Sequence, residues 1–124
     1  MDLHIKSTNY DEPTCLELLA RCDVVVSVHG LDSEQEHVDV GGRDISLRDA
    51  ICRSLEKLGF DARVVERGGH AGVSPENICN RGRGGAGVQL EIARALRDTL
   101  IASSGDRETF ACAVRQAIDN ALKL

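Results

Sequence analysis

Along most of the chain, apolar residues recur with a strand-like or a helix-like period, and the two kinds of segment alternate. Residues 2–7 set Leu3 and Ile5 against polar neighbours, the two-residue period of a short strand. Asp11 and Pro13 open a helix over 11–21 that carries Leu16, Leu18 and Leu19, since proline fits the first helical turn. The run Asp23-Val-Val-Val-Ser-Val-His-Gly30 is dense in β-branched residues and stopped by glycine, which predicts a buried strand. A polar stretch over 31–44 follows, interrupted by a short strand at 38–40 that Gly41 and Gly42 end. Residues 45–58 form the clearest amphipathic helix, with Leu47, Ala50, Ile51, Leu55 and Leu58 at helical spacing and Gly59 as its stop. Then come a strand at 62–65, a short proline-started helix at 74–77 and a strand at 87–92. Helices at 94–101 and 108–124 follow, the last burying Phe110, Ala113, Val114, Ala117, Ile118 and Ala121. The order predicts one α/β domain over 1–124: a mostly parallel mixed sheet with flanking helices.

In a sheet covered on both faces, strand residues are apolar in both directions. Two strands break that rule. In one, Val24, Val26 and Val28 share a face while Ser27 and His29 share the other with Val25. In the other, Val88, Leu90 and Ile92 face one way, Gln89 and Glu91 the opposite way. An ionisable group inside a strand is costly unless it is paired, hydrogen-bonded or metal-bound, so His29 and Glu91 are the first candidates for chemistry. His29 also stands at the C-terminal end of its strand, where open α/β sheets place ligands.

Composition narrows the partners. The chain has 124 residues, a formal net charge of −5 and no run of basic and aromatic residues, which argues against nucleic acid. No apolar run is long enough for a membrane span. The start, MDLHIKSTNYDEP, lacks the basic and apolar stretches of a secretory leader, so the expected location is the cytoplasm. Five cysteines without a C-x-x-C pair read as small buried hydrophobes in a reducing compartment. Residues 77–97 carry Arg81, Arg83, Arg94 and Arg97 against one acid, Glu91, a segment suited either to an anionic ligand or to a solvated basic face. Glu34, Glu36 and His37 form a weaker metal-ligand cluster in a polar loop, and His70 lies in a glycine-rich loop expected to be flexible. Residues 81–87 do not form a phosphate loop, because their glycines precede a strand instead of opening a helix.

Four segments occur in a telling order: Asp2-Leu-His-Ile-Lys-Ser-Thr8 leading to Asp11-Glu-Pro13; Val26-Ser-Val-His-Gly30; Pro75-Glu-Asn-Ile-Cys-Asn-Arg81; and Gly87-Val-Gln-Leu-Glu-Ile-Ala-Arg94. Together they closely resemble the poly-γ-glutamate hydrolase family, bacterial and phage zinc enzymes with a carboxypeptidase-like α/β fold. The resemblance implies that His29 is a zinc ligand and Glu91 the catalytic acid/base, acting on the γ-amide bonds of an anionic polypeptide, poly-γ-glutamate. It implies that Glu91 takes a proton from a water acidified by Zn2+ and passes it to the departing amine. Gln89, on the same face, would position Glu91. Asn80 and Arg81 resemble a carboxylate-holding pair, and arginine's planar fork suits the carboxylates of polyglutamate.

The family's zinc site also uses a His and a Glu from an earlier strand, and this sequence has no counterpart of that region before its Met1. Only His29 maps among the three protein ligands that a catalytic zinc usually has, with Glu34, Glu36 or His37 as substitutes. The fold is therefore expected to be N-terminally shortened, with an exposed sheet edge that invites a homodimer or a separate N-terminal partner. The competing reading is a non-catalytic domain of the same fold that binds an anionic ligand or a partner chain.

Overall fold

A computed structural model describes residues 4–123. Its elements run α1 (Pro13–Leu19), β1 (Val26–Leu31), β2 (Val38–Gly41), α2 (Ile45–Lys57), β3 (Ala62–Val64), a 3₁₀ turn (Ile78–Asn80), β4 (Val88–Ala93), α3 (Arg94–Ala102) and α4 (Ser104–Leu122). The sheet order is β1-β4-β2-β3. β1 pairs with β4 in parallel and β2 with β3 in parallel, while β2 and β4 run antiparallel at the centre. The sheet is thus mixed, with two parallel pairs joined back to back.

The two-residue period sorts the sheet into unlike faces. Val38, Val40, Val88, Leu90 and Ile92 join Leu47, Ile51 and Leu55 of α2, Leu96 and Leu100 of α3, and Phe110, Ala113 and Ala117 of α4 in one core. Phe60 and Phe110 meet edge to face, with ring centroids 5.2 Å apart. Ser54 Oγ donates to the Ala113 carbonyl at 2.7 Å and ties α2 to α4. Helix starts are fixed by side chains: Asp44 accepts from Leu47 N–H, and Ser103 from Asp106 N–H. Gly59, at φ +94°, ends α2, and an added Cβ there would meet nothing within 4 Å beyond its chain neighbours, so backbone freedom alone selects glycine.

The opposite face carries no helix of this core. Loop residues 68–72 lie on it, and the fit depends on glycine. A Cβ on Gly41 would stand 2.3 Å from the Ala71 carbonyl oxygen, and Gly42, at φ +113°, donates its N–H to that oxygen at 2.7 Å. Sequence reasoning expected helices over both faces and flexibility in this loop. The glycines instead press the backbone onto the sheet, and Ala71 is fully buried.

Several element boundaries differ from expectation, three of them by most of the element or for a visible cause. Residues 4–7 form no strand, and the rest of that expected element lies outside the described residues. The expected helix at 74–77 is a turn, closed by Asn77 N–H to the Ser74 carbonyl at 3.1 Å. The helical turn itself comes after it, because the Asn77 side chain caps Cys79 N–H. The last helix starts at Ser104, drawn forward by the Ser103 cap. Among the described residues no helix is long and apolar enough to cross a membrane.

Candidate active site

Parallel pairing of β1 with β4 sets Ser27 opposite Gln89 and His29 opposite Glu91. The two anomalies of the sequence are thus neighbours on the face turned away from the helical core. Across the next pairings Asp39 lies beside Glu91, and Arg63 beside Asp39. A row of four polar residues crosses the sheet.

Glu91 is 7% exposed and held by its Oε1. Gln89 Nε2 donates to that atom at 3.3 Å, and His70 Nδ1 stands 3.5 Å from it. The orientation of the Gln89 amide is set from behind, since its Oε1 accepts from Asn77 Nδ2 at 3.0 Å. Gln89 Nε2 also reaches the His70 carbonyl at 3.4 Å. One amide therefore fixes both the carboxylate and the loop that brings His70. Asp39, the second acid of the row, is turned to His37 Nδ1 at 3.1 Å, and His37 Nε2 meets Ser33 Oγ at 3.3 Å.

His29 is half-buried and its Nε2 lies 3.3 Å from Ser7 Oγ. Ser7 is held from the other side too, its carbonyl accepting from Ile78 N–H at 3.0 Å. Residues 4–8 are thereby drawn along the site. The result is a cleft of about 510 Å³ lined by His4, Lys6, Ser7, Thr8, His29, Gly30, Gly69, His70, Asn77, Gln89 and Glu91. A second groove of about 430 Å³, between α2 and α4, holds neither carboxylate nor imidazole in its lining.

The remaining candidates fall elsewhere. Asn80 is 3% exposed, and its amide is used up by backbone: Oδ1 accepts from Gly87 and Arg43 N–H, and Nδ2 donates to the Gly72 and Ser74 carbonyls. It brackets the loops around the cleft instead of facing it. Arg81 is exposed just past the 3₁₀ turn and does not line the cleft. Arg83 pairs with Asp23, Arg94 with Asp32 and Glu34, and Arg97 donates to the Leu31 and Ile92 carbonyls. The cationic segment read from the sequence is largely spent on the protein's own groups.

Zinc finds an incomplete donor set. Among the described residues there is no group of three or more His, Cys, Asp or Glu side chains that could hold a metal ion. His29 has a hydroxyl as its near partner, not a second ligand. The proposed substitutes are engaged away from the cleft: Glu34 with Arg94, Glu36 with Thr99, and His37 with Asp39 and Ser33. The described residues alone do not fit a three-ligand catalytic zinc.

Sequence reasoning missed His70, Lys6 and Asn77 as parts of the cleft. The signal for His70 was present in the glycines of residues 41–42 and 68–72, since paired glycine stretches mark close backbone approach. Nothing in the periodicity pointed to Lys6.

The sequence and the fold, taken as a whole, recur in known proteins. Residues 1–114 match the sequence profile described as poly-gamma-glutamate hydrolase. UPF0714 protein YmaC of Bacillus subtilis (strain 168) is 41% identical over 97 residues, covering 77% of this chain and 41% of YmaC. The SPbeta prophage-derived UPF0714 protein YoqZ of the same strain is 36% identical over 120 residues, 96% of this chain and 42% of YoqZ. The chain thus spans about two-fifths of the length of these relatives. A bacteriophage poly-gamma-glutamate hydrolase superposes with a TM-score of 0.88 at 31% identity, over 96% of this chain and 63% of that one. The zinc-free apo form of YndL superposes with a TM-score of 0.89 at 30% identity, over 98% and 65%. With a family profile matched over residues 1–114 and the fold in agreement, this chain belongs to the poly-γ-glutamate hydrolase family.

Proposed function

We propose that this chain carries the acid/base half of a zinc-dependent hydrolase for the γ-glutamyl amide bonds of poly-γ-glutamate. The observation that carries the reading is Glu91: a carboxylate nearly buried in a strand, held through Oε1 by Gln89 and facing the cleft beside His29. A carboxylate so placed takes a proton from the attacking water and returns it to the departing amine. Gln89 fixes its orientation, and His29 would supply one imidazole donor to a zinc ion, whose chemistry would be to acidify the attacking water. The other donors would have to come from outside the described residues.

The open edge of the sheet is where they would enter. β1 is the outer strand on the His29 side, and Val28, on the core face, is 64% exposed. A further strand pairing there would cover the edge and place its side chains next to His29 in the row. A separate N-terminal partner or a second copy of the chain would fill this place.

The missing donor set favours a second reading, in which the chain binds an anionic polymer without cleaving it. The test is hydrolysis of a γ-linked glutamate polymer with zinc present, by the chain alone and together with the N-terminal portion of a longer relative. Glu91→Gln should lower turnover by about 10²- to 10⁴-fold in whichever assembly is active. Polymer binding without turnover in either assembly would leave the second reading in place.

A further inference from the structure

The cleft holds one permanent cation among its described lining residues, Lys6; its other basic groups are the imidazoles of His4, His29 and His70. No carboxylate of the described residues pairs with Lys6. Its position is nevertheless fixed by its neighbours. Ser7 is tied to His29 through its hydroxyl and to Ile78 through its carbonyl, and the Lys6 carbonyl accepts from Asn9 N–H at 2.8 Å in a tight turn. The backbone of Lys6 is thereby held along the cleft, whose lining Lys6 shares with Glu91.

We infer that Lys6 is the specificity-determining residue that receives a substrate carboxylate next to the scissile amide, the role for which the sequence suggested Arg81. This inference rests on the reading of the cleft as a γ-glutamyl site. In a γ-linked glutamate chain the carbon that bears the leaving nitrogen also bears an α-carboxylate. Any chain whose amide reaches Glu91 therefore brings an anion into the same cleft. An anion there needs a cation that is not already neutralised, and Arg83, Arg94 and Arg97 are engaged by the protein while Arg81 lies outside the lining. Lysine is a point charge on a flexible stem, so it accepts a carboxylate in more than one orientation, as successive units of a polymer require. The charge-assisted contact is exposed and weakens with salt.

Isothermal titration of the zinc-free chain with a γ-linked glutamate trimer, and with its α-linked isomer, tests this without any need for turnover. Lys6→Gln should weaken binding of the γ-linked trimer about 10-fold, and Lys6→Arg should restore most of it. Arg81→Gln should change it less than about twofold. Lys6 is exposed, so an unchanged melting curve checks that the variant is folded. Equal affinity of wild type and Lys6→Gln, or a larger loss in Arg81→Gln, overturns the assignment. If both trimers bind equally and both lose affinity in Lys6→Gln, Lys6 stands as a carboxylate site and the γ-glutamyl reading fails. If neither trimer binds the wild type, both fail.

Discussion

On the helix-covered face of the sheet, Val38, Val40, Val88 and Leu90 are no more than 1% exposed and touch other aliphatic side chains. On the opposite face Gln89 and Glu91 are almost as deeply buried, yet their neighbours are amides, an imidazole and loop backbone. The first face is held by contact area, which many side chains of similar volume can supply. The second is held by direction: each donor needs its own acceptor, and the loops reach the sheet only where a Cβ is absent. Side-chain volume governs one face and backbone access the other.

The sharpest way to break this comparison is to add one carbon to the polar face and remove several from the apolar one. A Cβ on Gly87 would lie 1.8 Å from the Cys79 carbonyl oxygen and 2.7 Å from that of Val25, both backbone atoms. Gly87→Ala should therefore cost more than about 4 kcal/mol, beyond the usual range for a point change. Leu90→Ala, which deletes a fully buried core side chain, should cost about 2–5 kcal/mol. Urea unfolding measures both, and a Gly87→Ala cost below that of Leu90→Ala would reverse the contrast.

A smaller effect separates positioning from packing on the polar face. The His70 side chain is about half exposed and meets Glu91, so His70→Gln should leave the unfolding midpoint within about 0.5 kcal/mol. In the active assembly it should lower kcat about 10-fold, with KM for the γ-linked polymer little changed. A fall in stability without a fall in kcat would make His70 a packing residue.

The smallest effect is a pH dependence shared by both faces. Burial pushes the Cys79 thiol, in the 3₁₀ turn at the cleft, up to about 11. Burial, with help from Glu56, does the same to Cys52 in α2. The unfolded value is 9.0, so the folded state favours the neutral thiol. That contribution is complete below pH 9 and is lost as pH rises toward 11. Melting temperature should fall over this window, and less so in Cys79→Ala. Thiol reagents at pH 8 should label exposed Cys112 quickly and spare Cys52 and Cys79 until the chain unfolds. Labelling of Cys79 in the native state would mean that its loop cover opens readily.

The apolar face was largely legible in the sequence, because Val88, Leu90 and Ile92, and Leu47, Ile51 and Leu55, declare their sides by period alone. The same period separated His29, Gln89 and Glu91 from the core. It could not say that β1 and β4, far apart in sequence, would be neighbours, and that pairing is what sets His29 beside Glu91. The rest of the cleft comes from segments that the period either misreads, as at residues 4–7, or does not mark. Residues 4–8 and 68–72 are placed by tertiary hydrogen bonds and close approach, which leave no regular trace in the chain. Arg81 shows the converse. A motif fixed its identity, but the turn after Asn80 decides where it points, and it stands outside the cleft.

The strand order carries a consequence for how the protein comes into being. β4 follows the other three described strands in the chain and lies between β1 and β2, which do not pair with each other. Without residues 88–93, β1 has no partner among the described strands, and β2 can pair only with β3. Closing the sheet thus waits on a contact between distant parts of the chain, the kind that slows folding. Glu91 lies on that same strand, so the step that closes the sheet is also the one that brings Glu91 beside His29.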